Sequence, residues 1–177
     1  AMSESAYDLF RKGSELLERG DFMAAAVPLE RARELEPDKG SIREALGRAY
    51  FRSSRFEQAA EEFKALVERY PVNDYAHFCL GRSLEKTGRR AEASRHAALA
   101  AHMRPDRKDY QAYYERAIDR SFAALEAETP AFAARFGIGE IAIASAISYV
   151  DFRYPDRGWR FPDGTVLVGT AVTIRSQ

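Results

Sequence analysis

Three consecutive stretches of equal length decide the fold. Residues 6–39 read AYDLFRKGSELLERGDFMAAAVPLERARELEPDK. Residues 40–73 read GSIREALGRAYFRSSRFEQAAEEFKALVERYPVN, and residues 74–107 read DYAHFCLGRSLEKTGRRAEASRHAALAAHMRPDR. Laid over one another without gaps, they keep the same residue types at a spacing of 34. Gly13, Gly47 and Gly81 hold the eighth position, and Leu16, Tyr50 and Leu84 the eleventh. Ala25, Ala59 and Ala93 hold the twentieth, and Pro37, Pro71 and Pro105 the thirty-second. Phe22 and Phe56 share the seventeenth, where the third copy has Arg90. Columns that persist over 102 residues mark a repeat array.

The columns are similar to those of the tetratricopeptide repeat family, which implies two helices in each copy, and within such a pair each column has a physical reading. Small residues at the eighth and twentieth positions let two helices of one copy approach closely. Large apolar residues at the fourth, seventh, eleventh and twenty-fourth fill the space between them. Proline ends the second helix, because it has no N–H and drives the preceding residue out of the helical region. Gly20 and Gly88, with Ser54 between them in the series, suit the turn from first helix to second.

The resemblance implies that each copy is an antiparallel helix pair. Two residues depart from the family's columns. Lys12 stands where leucine is usual and Ala97 where a large aromatic is usual, so looser packing is expected at both. A repeat array must also cover its last apolar face. Residues 108–126 supply a helical stripe of Tyr110, Tyr113, Tyr114, Ala117, Ile118, Phe122 and Leu125. Glu115 stands where the next glycine would fall, so this helix caps the array and opens no fourth copy.

The resemblance implies a groove lined by the first helix of each copy, with partner contacts from recurring positions. Carried over, they give Tyr7, Phe10 and Ser14 in the first copy, Arg48, Phe51 and Arg52 in the second, and Tyr75, Phe78 and Arg82 in the third. One subclass of the family grips chaperone C-terminal carboxylates with a Lys/Asn/Asn/Lys/Arg clamp. The corresponding residues are Phe10, Ser14, Ala45, Tyr75 and Cys79, and none matches. What remains is an aromatic surface with interleaved guanidinium groups, suited to an extended peptide or helix with apolar anchors and acidic residues. A plainer reading stands beside it. Phe51 and Tyr75 could serve as packing between repeats, and Arg48 and Arg82 could pair with nearby glutamates for about 1 kcal/mol or less.

Composition changes after residue 126. Apolar residues run densely from Ile141 to Val150 without a charge, the mark of a buried helix. Gly137 would cap it, and Glu140 would return a hydrogen bond to the cap. Residues 115–160 resemble part of the helical C-terminal domain of glutathione transferases, through Ile118, the run Leu125-Glu126-Ala127-Glu128, the run Ile138-Gly139-Glu140-Ile141-Ala142-Ile143-Ala144, the run from Tyr149 to Asp156, and Trp159-Arg160. That resemblance implies a folding element of a core and no chemistry. The thioredoxin-like domain that binds glutathione has no counterpart, since residues 6–107 are repeats. Pro162-Asp163-Gly164 signals a turn, and Thr165–Ile174 is rich in β-branched residues, so a short strand, a hairpin or an irregular tail fits there. The buried helix needs cover, either from the array or from a second copy of the chain in a homodimer through residues 136–175.

The expected fold class is therefore all-α. Residues 1–126 form a three-repeat array with a capping helix, and residues 127–177 form an extension with a short tail of β character. The expected function is a non-catalytic adaptor or scaffold binding a protein or peptide. The alternatives are a glutathione-transferase-related protein, or a fusion or built chimera without a natural ligand.

Charge and cysteine content narrow the field further. The chain has 27 basic and 27 acidic residues, where a nucleic-acid binder would usually carry a basic excess. No apolar run approaches the roughly 20 residues that cross a bilayer, and the opening residues hold no basic-then-apolar leader. A single cysteine, Cys79, makes no internal disulfide and points to a reducing cytoplasm. His77, His96 and His102 form no metal-ligand spacing, so no metal or other cofactor is expected. Gly137-Ile138-Gly139 lacks the third glycine of a dinucleotide loop. Charge is graded along the repeats: six basic and nine acidic residues in 1–39, six and five in 40–73, seven and four in 74–107. Without a thiol-binding domain, the protein should neither be retained on glutathione-agarose nor turn over a transferase substrate. Retention that free glutathione elutes would reverse this reading.

Overall fold

The computed structural model describes residues 4–132, 165–168 and 172–175. Residues 1–117 and 118–177 form two compact bodies. The first is built from helical hairpins. The pairs are α1 (Ala6–Glu18) with α2 (Phe22–Leu35), α3 (Gly40–Arg52) with α4 (Phe56–Arg69), and α5 (Asp74–Lys86) with α6 (Arg90–Met103). Helix α7 (Lys108–Phe132) follows and crosses the boundary between the bodies. It continues past the expected end at 126 and past Pro130, which removes one backbone donor without stopping the helix. In the second body β1 (Thr165–Val168) pairs antiparallel with β2 (Val172–Arg175), Thr165 opposite Arg175. The buried helix expected over Ile141–Val150, and with it most of the glutathione-transferase-like segment, lies outside the described residues.

Local chemistry repeats as the sequence does. Gly20 and Gly88 have φ of +84° and +82°, and Ser54 takes the same left-handed turn at +63°. In each hairpin the residue after the turn donates to the eleventh-column carbonyl: Asp21 to Leu16 at 2.9 Å, Arg55 to Tyr50 at 2.8 Å, Arg89 to Leu84 at 2.9 Å. This is the bond that closes a helix through a left-handed cap. At the other end, Glu36, Tyr70 and Arg104 have φ near −130°, each followed by its proline, which forbids helical continuation. Ser5 and Asp8 cap α1 reciprocally, and Asn73 caps α5 by accepting from the Ala76 N–H at 2.9 Å.

The glycine column sets the spacing within each hairpin. A Cβ on Gly13 would fall 2.4 Å from Leu29, and one on Gly47 would fall 2.9 Å from the Phe63 ring. Leu29 and Phe63 are the twenty-fourth residues of their repeats, both almost fully buried. The third repeat has Ala97 at that place, and the expected looseness there is corrected by the structure. Tyr113 of α7 clusters with Ala97 and comes within 3.3 Å of a Cβ on Gly81. A ring lent by the capping helix fills the space that the repeat's own residue leaves. Lys12 is exposed, with its ammonium 3.9 Å from Glu4, so the departure there costs the core nothing.

The fourth column also departs from the expected apolar filling. It faces the twenty-third position of the same repeat, and the pair changes character along the array. Leu9 and Pro28 are both buried in the first repeat. In the second, Arg43 donates to Glu62 at 2.9 Å, and Arg33 of the first repeat also binds that buried carboxylate. In the third, His77 and His96 place their Nδ1 atoms 2.9 Å apart. Arg43 and His77 further donate to the carbonyls of Pro37 and Pro71, at 2.7 and 2.9 Å.

Two substitutions test this account in urea melts. Ser54→Gly relieves a left-handed serine and should stabilise by about 1 kcal/mol. Gly47→Ala drives a methyl into Phe63 and should destabilise by about 1–3 kcal/mol.

Candidate functional site

Successive first helices, α1, α3 and α5, bring side chains from three repeats to one cavity of about 550 Å³. Six expected site residues line it together: Arg48, Phe51, Arg52, Tyr75, Phe78 and Arg82. Tyr7, Phe10 and Ser14 do not line it. Tyr7 is 70% exposed, Phe10 packs against the core and Ser14 is half-buried. The first repeat instead contributes the end of α1 and the following turn, Leu17 to Gly20, and then Phe22. Arg19, Gly20, Phe22 and Phe63 were not expected from the sequence. The recurrence of phenylalanine at the seventeenth position, Phe22 and Phe56, was a signal for one of them.

Aromatic rings and cations alternate across this surface. The Arg52 guanidinium sits 4.7 Å from the Phe22 ring centre, and Lys86 sits 6.0 Å from Phe56. Arg52 and Lys86 are equivalent residues, so each covers the ring of the preceding repeat. Arg82 lies between two rings, 5.0 Å from Phe51 and 5.6 Å from Phe78. Phe78 also stacks on Tyr110 of α7 with centres 4.5 Å apart, which fixes its plane from behind. Contacts of this type hold a guanidinium in place without neutralising it.

The lining also holds the carboxylate of Glu18, but among the described residues it forms no ion pair with Arg48, Arg52 or Arg82. Among the described residues ion pairs form elsewhere, as Arg55 with Glu30 and Arg89 with Glu92, and none involves Arg48, Arg52 or Arg82. The plainer reading that Arg48 and Arg82 pair with nearby glutamates therefore does not hold in this structure. The reading of Phe51 and Tyr75 as packing holds in part, since both are half-buried and Phe51 touches the core.

The lining also includes two groups held neutral, Tyr75 and Cys79. Burial pushes the Cys79 thiol up to about 11, and burial likewise raises the Tyr75 phenol far above its ordinary range. A protonated thiol is a poor nucleophile. Among the described residues no three His, Cys, Asp or Glu side chains converge on a cation position.

Stacked helical hairpins with glycine against a large residue define a class of helical repeat protein. Residues 10–74 and 45–108 match the model of the tetratricopeptide repeat, and the chain belongs to that family. Solved structures of similar fold include a MamA RS-1 double mutant, at a TM-score of 0.64 and 17% identity, covering 66% of this chain and 65% of that one. The chain thus spans just under two thirds of that relative's length. The first tetratricopeptide domain of Spaghetti (RPAP3), bound to an HSP90 peptide, superposes at a TM-score of 0.62 and 17% identity over 68% of this chain and 95% of that one. A CopN–Scc3 complex gives 0.55 and 15%, over 64% and 67%. At these identities the likeness is one of fold. No curated protein matches the chain by sequence.

Thiol reactivity tests the burial of Cys79. A rise from 9.0 to about 11 leaves about 100-fold less thiolate. Cys79 in the folded protein should therefore alkylate roughly that much more slowly with iodoacetamide at pH 7.5 than in urea.

Proposed function

We propose that the chain is a non-catalytic adaptor that holds an extended, acidic segment of a partner protein in the cavity between α1, α3 and α5. The observation that carries this reading is Arg82, held between Phe51 and Phe78 and, among the described residues, in no ion pair. A guanidinium already positioned by two rings pays little further entropy when a carboxylate arrives, and it can bind one in a bidentate fork. Arg48 and Arg52 extend the positive surface, while Phe51, Tyr75 and Phe78 supply apolar area for an anchoring side chain. Tyr7, Phe10 and Ser14 belong to the reading only as a flank that a longer ligand would reach.

Family and neighbours support the same class of activity, since the Spaghetti domain was solved with a peptide and CopN with Scc3. A chaperone tail is not the ligand we propose. Phe10, Ser14, Ala45, Tyr75 and Cys79 replace the clamp that grips it. No helix among the described residues is long and apolar enough to cross a membrane. The lone cysteine supports a reducing cytoplasm as the place of work. A homodimer through residues 136–175 remains part of the proposal, and a monomer mass by light scattering at micromolar concentration would refute that part.

Peptide arrays supply the test. Acidic peptides with one aromatic or aliphatic anchor should bind in preference to their Asp→Asn and Glu→Gln counterparts. Arg82→Ala and Phe78→Ala should each weaken binding by about tenfold or more, near 1.4 kcal/mol. Undiminished binding by the double variant would remove the cavity from consideration.

A further inference from the structure

The paired residues at the fourth and twenty-third positions join the two helices of each repeat, and the third repeat alone does this with histidines. His77 is 6% exposed on α5, and His96 is half-buried on α6. Their Nδ1 atoms lie 2.9 Å apart, with ring centres 5.1 Å apart and planes 27° apart. The centres are separated by almost the sum of that contact and the two ring radii, so the rings meet edge to edge. A carbonyl can only accept, so His77 Nε2 must donate to Pro71 O at 2.9 Å. The neutral His77 then presents a bare Nδ1, and His96 Nδ1–H donates to it.

We propose that His77 and His96 form an acid-sensitive latch between α5 and α6, closed while they share one Nδ1 proton and forced open when both rings are charged. The folded pair accommodates one added proton at most, on the outer nitrogen of His96. A second would set N–H against N–H at 2.9 Å and place two positive charges together in a half-buried site. The unfolded chain takes both protons near the ordinary value of 6.5.

The groups around the pair do not offset this. From α5 the facing group is His77 itself. From α6, Arg95 opposes a charge on His96 and Glu92 favours it, and from the link between α4 and α5 comes the Pro71 carbonyl. Burial is the largest influence on His96, followed by His77, and both hold its imidazole below the ordinary range. The latch is therefore fully effective above pH 6.5 and weakens as pH falls below it. Each proton that the folded state refuses costs a factor of ten in the folded-to-unfolded ratio per pH unit.

The second repeat provides the control, because Arg43 and Glu62 hold the same two positions. In urea melts, wild-type protein should lose about tenfold more of its folding equilibrium constant between pH 7.5 and pH 5.5 than His77→Arg/His96→Glu. His102→Gln, which removes the remaining histidine, should behave as wild type. Hydrogen-exchange protection factors should fall in α5 and α6 before α1 to α4. Equal pH dependence in wild type and the double variant would overturn the proposal. So would imidazole carbon resonances in folded wild-type protein showing both rings titrating near 6.5. Should the double variant fail to fold at pH 7.5, His96→Gln, which keeps a donor toward His77, replaces it with the same two outcomes. None of these measurements involves a ligand, so they stand apart from any test of the cavity.

Discussion

Everything in the array rests on a glycine set against a bulky side chain. With no Cβ at Gly13 or Gly47, Leu29 or Phe63 can lie directly on the opposing backbone. That contact fixes how near the two helices of a hairpin come. The distance in turn decides which residues of α1, α3 and α5 point into the cavity and which into the core. A methyl at either position would move a helix, and with it a row of aromatic side chains.

The cavity inherits its order from that spacing. Arg52 over Phe22 and Lys86 over Phe56 are one contact made twice, each time from one repeat to the previous one. Arg82 breaks the series by standing between two rings, and among the described residues it forms no ion pair. The charges used for structure lie elsewhere. Glu62 binds two arginines, Arg33 and Arg43, across two repeats, and Glu30 accepts from Tyr50 at 2.7 Å and pairs with Arg55. Structural and available charges are thus segregated to different positions of the same repeat.

Much of this was legible beforehand. Columns of glycine, alanine and proline at a spacing of 34 give helix boundaries, turns and the left-handed serine at 54, because backbone geometry depends on few residue types. Two thirds of the expected site residues met in one cavity for the same reason. The failures have a common cause. Ala97 and the pair at the fourth and twenty-third positions take their meaning from side chains on another helix, which a column read alone does not contain. Phe10 packs against the core and so does not reach the cavity. The C-terminal segment gave a resemblance without a repeat to check it against.

Tyr113 carries a consequence for how such a protein can be lengthened or shortened. The third repeat keeps its shape with a ring that belongs to the helix after it, so it is not an interchangeable module. Copied into the middle of a longer array, it would bring a hole the size of a phenol with it. A fourth repeat grafted in place of α7 would need a tyrosine of its own, or a large residue restored at 97. The number of repeats is thereby recorded in one alanine, and any change in that number must begin there.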